Sequence, residues 1–231
     1  MQTYNTKMAF SIETFIAYNS MCMYYFLIEE STAYYNHNKS YFTKQSVSQN
    51  INNIRKYYNL SLSLFSWIIF FATLYENKNN LTAYDLTCRH QNNSWINVML
   101  YLKYIEWCDT IFLILKNKKI STLHYYHHMI VPFFMFIHTG ENTAGQTYVM
   151  LSNSFAHGLM YLYYAYPAPL KKYAKTITFV QTTQHLGALA LITNQLYNFN
   201  NPACLYQKNV IMFSLLAYAF FFYQFSKILL V

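Results

Sequence analysis

Charge is scarce in this chain. Of its 231 residues only 10% are Asp, Glu, Lys or Arg, less than half the share usual in a soluble domain. That scarcity, beside 55% apolar residues, points to a membrane protein and away from a soluble globular domain. Mean hydropathy is only +0.08, held down by 25 tyrosines and many asparagines. Those residues remain usable at membrane interfaces and between helices. Zinc spacing is missing, since Cys22, Cys88, Cys108 and Cys204 form no C-x-x-C pair. No cleavable leader is expected: Glu13 interrupts the apolar stretch after Lys7, and no small-residue cleavage site follows. No basic arm or surface-like helix carries the net charge of +8 (pI ≈ 9.1), which argues against nucleic acid. Membrane phosphates or an anionic substrate are the natural partners.

What is present is a series of apolar runs. They predict seven spanning helices at about 8–28, 58–75, 95–115, 121–139, 144–166, 173–193 and 209–230, because only helices satisfy the backbone in hydrocarbon over such runs. Pro167 and Pro169 stop the fifth. Residues 29–57, rich in Asn, Ser and Gln, read as a loop. The expected organisation is a variable first span and Asn-rich cytosolic loop over 1–57, then a six-span membrane domain over 58–231.

Loop charge sets the orientation. Lys39, Lys44, Arg55, Lys56, Lys116, Lys118, Lys119, Lys171, Lys172, Lys175 and Lys227 fall on one side, against Lys7, Lys78, Arg89 and Lys208 on the other. The first side is expected to be cytosolic and the N-terminus outside or lumenal. Cys88 and Cys204 then share the non-cytosolic side, where an oxidising lumen permits a disulfide; two free thiols are the alternative. The N-x-[ST] sequons at Asn80 and Asn92 lie there too. Cys22 and Cys108, within spans, read as small packing residues.

Polar residues inside the spans carry the functional signal. Lys103, Glu106 and Asp109 are spaced i, i+3, i+6, with Thr110 at i+7, near one helical stripe. Ionisable groups at membrane depth must pair or face a wet cavity, so this stripe is either a structural network or a cavity wall. His124, His127 and His128 share a face of the next span. Asn153, His157 and Tyr161 follow at spacings of four, with Tyr164 alongside, and Thr178, Gln181 and His185 form a further stripe beside Gln184. A lone intramembrane Gln or Asn usually joins helices, but polar stripes on four helices predict a shared interior cavity. A histidine triplet suits metal ligation or nucleophilic and general-base chemistry. Membrane di-iron sites need roughly eight histidines in several boxes. The eight here, His37, His90, His124, His127, His128, His138, His157 and His185, make only one box.

The motifs Lys103-x-x-Glu106-x-x-Asp109-Thr110, His124-Tyr-Tyr-His127-His128, Asn153-Ser-Phe-Ala-His157-x-x-Met160-Tyr161-x-Tyr163-Tyr164 and Thr178-x-x-Gln181-x-x-Gln184 resemble the fatty acid elongase family. The likeness covers about residues 56–230, including Tyr58-Asn59, in the family's motif order. Three features depart from it. The link after the first span is long and Asn-rich instead of short, basic and proline-containing. Lys116 stands where the family often has arginine. The chain ends Lys227-Ile-Leu-Leu-Val, without a dilysine retrieval tail.

The resemblance implies an all-α polytopic membrane protein, about seven transmembrane helices enclosing an acyl-chain tunnel open to the cytosol. It implies an acyltransferase that condenses long-chain acyl-CoA with malonyl-CoA to 3-oxoacyl-CoA, carbon dioxide and CoA. No metal or bound cofactor is expected. The expected partners are membrane lipid and the reductases and dehydratase of the elongation cycle, with a homo-oligomer allowed. The expected location is the endoplasmic reticulum membrane, N-terminus lumenal and C-terminus cytosolic. In that reading His127 takes the acyl group, His157 and Asn153 meet the enolate oxygen, and His124 and His128 orient or exchange protons. Lys103, Glu106, Asp109, Thr110, Tyr161, Gln181 and Gln184 form the supporting polar network. Lys116, Lys118, Lys119, Lys171, Lys172 and Lys175 meet the CoA phosphates. The competing classes are a seven-helix receptor or carrier, and a His-box lipid-modifying enzyme; a carrier would show internal repeats, which are not evident.

Overall fold

A computed structural model describes residues 12–88, 93–140, 145–198, 201, 204 and 208–230. Lys7, Arg89, His90 and the sequon at Asn92 lie outside the described residues, as do the side chains of Glu13, His138 and Lys208. The described chain is helical, with no strand. Its elements are α1 (Ile12–His37), α2 (Lys39–Phe42), α3 (Gln45–Asn77), α4 (Ala83–Cys88), α5 (Ile96–Ile105), α6 (Cys108–Leu115), α7 (Thr122–Gly140) and α8 (Gln146–Ala165). After Tyr166 come α9 (Pro167–Leu170), a 3₁₀ turn (Lys171–Tyr173), α10 (Ala174–Tyr197) and α11 (Lys208–Leu229).

Two helices, Gln45–Asn77 and Val210–Leu229, are long and apolar enough to cross a membrane on composition and length among the described residues. α1, α8 and α10 also have the length, but Tyr, Asn, Gln, Thr and His lower their hydropathy. α8 ends at Ala165, before Pro167, as expected.

The loop expected over 29–57 is not one. α1 runs on to His37, α2 forms a single turn, and α3 starts at Gln45. Asn, Ser and Gln weaken a helix only by tenths of a kcal/mol each, and no Gly or Pro occurs before Pro132 to end one. At 1.5 Å per residue the 33 residues of α3 reach roughly 50 Å, so its polar first turns overshoot a hydrocarbon core of about 30 Å. Ile51, buried, anchors this extension. Cys22, read as a packing residue, is instead exposed on α1.

α3 packs along α8 and α10 along α11, while α7 contacts α1, α5 and α11. The α3–α8 contact depends on Gly158. A Cβ there would stand 2.8 Å from Trp67 Cε2, and Ser63 Oγ donates to the Gly158 carbonyl at 2.8 Å. Small residues of this kind let membrane helices approach. The core beneath holds Leu62, Ile69, Met99, Leu102, Met135 and Met150.

One end of the bundle is fastened by polar bonds. Asn77 Nδ2 donates to Asn93 Oδ1 at 3.1 Å, Asn93 Nδ2 to Thr147 Oγ1 at 3.2 Å, and Gln195 Nε2 to the Thr87 carbonyl at 3.3 Å. Cys88 and Cys204 form a disulfide at this end, tying α4 to the segment before α11. The opposite end carries the lysines of 116–119 and 171–175, and there the polar stripes converge.

Candidate active site

The third apolar run is two helices instead of one. Between α5 and α6 the bonds tighten to i→i−3: Trp107 N donates to the Tyr104 carbonyl at 3.2 Å, Asp109 N to that of Glu106 at 3.0 Å, and Thr110 N to that of Trp107 at 3.1 Å. At about three residues per turn, side chains three apart eclipse, which helps align Lys103, Glu106 and Asp109. Lys103 and Glu106 are each 3% exposed. Lys103 Nζ donates to Glu106 Oε1 at 2.8 Å, and His157 Nδ1 lies 3.3 Å from Lys103 Nζ and 3.2 Å from Glu106 Oε1. Asp109 Oδ2 accepts from Tyr161 OH at 2.8 Å. The stripe is therefore both a structural network and a cavity wall, because Glu106 and Asp109 also line a cavity of ≈450 Å³.

α7 brings its histidines to the same cavity. Its first turn is capped by Ser121, whose Oγ accepts from His124 N at 3.2 Å. Pro132, inside this helix, has no N–H to offer the His128 carbonyl four residues back. Trp107 supplies the donor, Nε1–H to His128 O at 2.8 Å. His128 is buried, while His127 is half-buried and opens onto the cavity. The His127 ring lies 6.0 Å from that of His157 and 5.3 Å from that of His128.

His124 is held by a two-hydroxyl chain. Its Nε2 is 2.8 Å from Thr110 Oγ1, which is 2.8 Å from Tyr24 OH. Tyr24 and Thr110 are both 0% exposed. Among the described residues Tyr24 OH meets only Thr110, so the arrangement that uses both hydroxyl protons has Tyr24 donating to Thr110 and Thr110 donating to His124 Nε2. That assignment places the His124 proton on Nδ1.

α8 contributes His157, Tyr161 and Tyr164, and α10 contributes Thr178, Gln181, Gln184 and His185. Gln181 Nε2 bonds Met160 Sδ at 3.2 Å. Asn153 lines an adjoining chamber that His127 also borders, and its Oδ1 is buried with no hydrogen-bond partner among the described residues. Of the six lysines expected to meet CoA, Lys119 alone lines the cavity among the described residues. Lys116 bonds Asn52 Oδ1, and burial, with Arg55 and Lys118 nearby, lowers its ammonium from the ordinary value. Lys118, Lys171, Lys172 and Lys175 stand exposed at the same end. Arg55, Tyr24, Trp107 and Phe225 are contributors that motif spacing did not single out.

This geometry has relatives. The model of the ELO (GNS1/SUR4) family matches residues 7–230. "Fatty acid elongase 1" of Trypanosoma cruzi is 31% identical over 190 residues, covering 74% of this chain and 65% of that protein. "Fatty acid elongase sre1" of Dictyostelium discoideum is 35% identical over 162 residues, 64% of this chain and 57% of that protein. "Very long chain fatty acid elongase 6" of Mus musculus is 32% identical over 129 residues, 53% of this chain and 48% of that protein. In each case the match spans less than two thirds of the relative's length. With nearly its whole length matched, the chain belongs to the ELO (GNS1/SUR4) family.

Proposed function

We propose that the chain is a condensing enzyme of fatty acid elongation, joining acyl-CoA to malonyl-CoA to give 3-oxoacyl-CoA, carbon dioxide and CoA. The observation that carries this reading is the His127–His157 ring pair, 6.0 Å apart at one cavity, with His157 anchored on the buried Lys103–Glu106 ion pair. His127 borders both chambers and fits the nucleophile. Its Nε2 attacks the thioester, the C–S bond breaks, and the proton displaced from the acylated ring passes to the CoA thiolate. Malonyl-CoA then loses carbon dioxide, and the enolate carbon attacks the acyl carbon as the C–N bond to His127 breaks. A proton from a neighbouring group restores the imidazole.

In the tautomer whose Nδ1 accepts a hydrogen bond from the Lys103 ammonium, His157 presents Nε2–H to the developing oxyanion, with Asn153 as second donor. His124 and His128 orient the box. Asp109, Thr110, Tyr161, Gln181 and Gln184 keep the network in place. Lys119 and Arg55, which line the cavity, fit CoA phosphates, and Lys116, Lys118, Lys171, Lys172 and Lys175 raise the local cation density. The same charges set topology on the positive-inside rule: seven spans, a tunnel open to the cytosol, a lumenal N-terminus, and an endoplasmic reticulum location where the cycle's reductases and dehydratase work.

Membranes containing the chain, supplied with acyl-CoA and labelled malonyl-CoA, test the reading. Label in longer acyl chains is expected. No acyl-CoA-dependent incorporation would favour a receptor or carrier.

A further inference from the structure

The condensation takes up one proton from outside, and takes it up in its second half. In the first half, the proton lost by the acylated His127 ring ends on the CoA sulfur. In the second, the C–N bond to His127 breaks, and the ring would leave as an imidazolate unless a proton arrives. His127 borders two chambers. The larger takes the substrates, so the smaller is the free approach to the ring.

That smaller chamber suits water. Asn153, Gln184 and His185 line it beside the core residues Phe134 and Met135. Asn153 Oδ1, Gln184 Oε1 and His185 Nδ1 are buried with no hydrogen-bond partner among the described residues. Burying three such atoms dry is costly, whereas one water satisfies two of them at once. The chamber leaves ≈30 Å³ open to the centre of a water molecule, so at least one whole molecule fits.

His185 is fixed where it can use that water. It is 4% exposed and borders both chambers, as His127 does. Its ring stacks on Phe225 at 5.1 Å and 24°. Phe221 lies 5.7 Å from the His185 ring and 5.5 Å from the His127 ring, so both imidazoles stand around one phenyl group. The helix α10 is pinned here as well. Tyr148 OH donates to the Gln184 carbonyl at 2.9 Å, and Gly187 leaves room for that hydroxyl, which a Cβ would overlap. A ring held this firmly passes a proton without swinging, by releasing it from one nitrogen as it takes another at the second.

We propose that His185, through a water held in the smaller chamber, returns to His127 the proton consumed in the second half of the reaction. As the C–N bond to His127 breaks, a water O–H breaks and an N–H forms at the ring nitrogen that carried no acyl group. The water takes its replacement from the His185 N–H, and His185 takes one at its other nitrogen from water in the larger cavity. Asn153 and Gln184 hold the relaying water. This inference rests on the condensing-enzyme reading and adds the source of its proton.

The test times the two halves separately on the full chain in membranes. CoA release on adding acyl-CoA alone reads the first half. Labelled malonyl-CoA is then added, and elongated product reads the second. His185→Phe keeps an aromatic ring on Phe225, and His185→Gln keeps a polar group beside the water; neither side chain can relay a proton. Each should slow the second half by roughly tenfold or more while leaving the first little changed, and in the parent chain the second half should slow in heavy water. Because the two rates come from one preparation, the folded fraction cancels in their ratio. Equal slowing of both halves, which a packing role predicts, or a second half at the parental rate in either variant, overturns the inference and leaves the condensing activity standing. No CoA release and no elongated product from the parent chain overturns both.

Discussion

Trp107 donates its indole N–H to the backbone carbonyl of His128 at 2.8 Å, replacing the helical donor that Pro132 cannot provide. The helix carrying His127, the proposed nucleophile, is thus fastened to the 3₁₀ break that aligns the carboxylates. Trp107→Phe keeps the aromatic packing and orphans that carbonyl, and should cost about 1–3 kcal/mol. Thermal unfolding in detergent reads the loss. A variant as stable as the parent would show that the bond carries no weight.

Lys103 and Glu106 are buried together, so removing one charge strands the other. Glu106→Gln should destabilise by about 3–5 kcal/mol, while Glu106→Gln with Lys103→Met should recover much of that loss. The pair is measured as a double-mutant cycle on unfolding midpoints. Additive single effects would contradict the pairing.

Tyr24 acts on His124 through Thr110, so Tyr24→Phe should disturb the tautomer more than the fold. The expected result is a fall in kcat on the order of tenfold with KM for acyl-CoA little changed. Thr110→Val should lower kcat further. In ¹⁵N spectra of histidine-labelled protein, His124 should lose its single-tautomer signature. An unchanged kcat in both variants would remove the hydroxyl chain from the mechanism.

Gly158 sits where α3 and α8 touch, with no room for a methyl beside Trp67. Gly158→Ala should lower stability by about 1–3 kcal/mol, and Trp67→Leu in the same chain should restore part of it. If Gly158→Ala unfolds at the parent temperature, the helices are not in contact there.

Much of the site was legible because charge inside a membrane run is costly. Lys103, Glu106, Asp109 and the His124–His128 box stood out from apolar neighbours by type and spacing alone, and His157 and Gln181 followed by periodicity. The fold was legible where prolines end helices, as after Ala165. It was not legible over 29–57, where polar composition suggested a loop but no helix-breaking residue existed. The 3₁₀ break at Trp107 has no residue signature, since it is fixed by packing. Tyr24 is one of 25 tyrosines, and only its position against Thr110 distinguishes it. The Trp107 bond could have been partly foreseen, because Pro132 announces that the His128 carbonyl needs a donor from elsewhere. Arg55 lay in the segment read as a loop and so carried no expected position at the cavity.

The most direct test of the central claim is the mass of the protein after incubation with an acyl-CoA alone. An acyl-imidazole at His127 predicts a gain of one acyl group on the peptide containing His127, release of one CoA, and discharge on adding malonyl-CoA. His127→Ala should show no gain. An adduct of the same mass in His127→Ala would contradict the assignment.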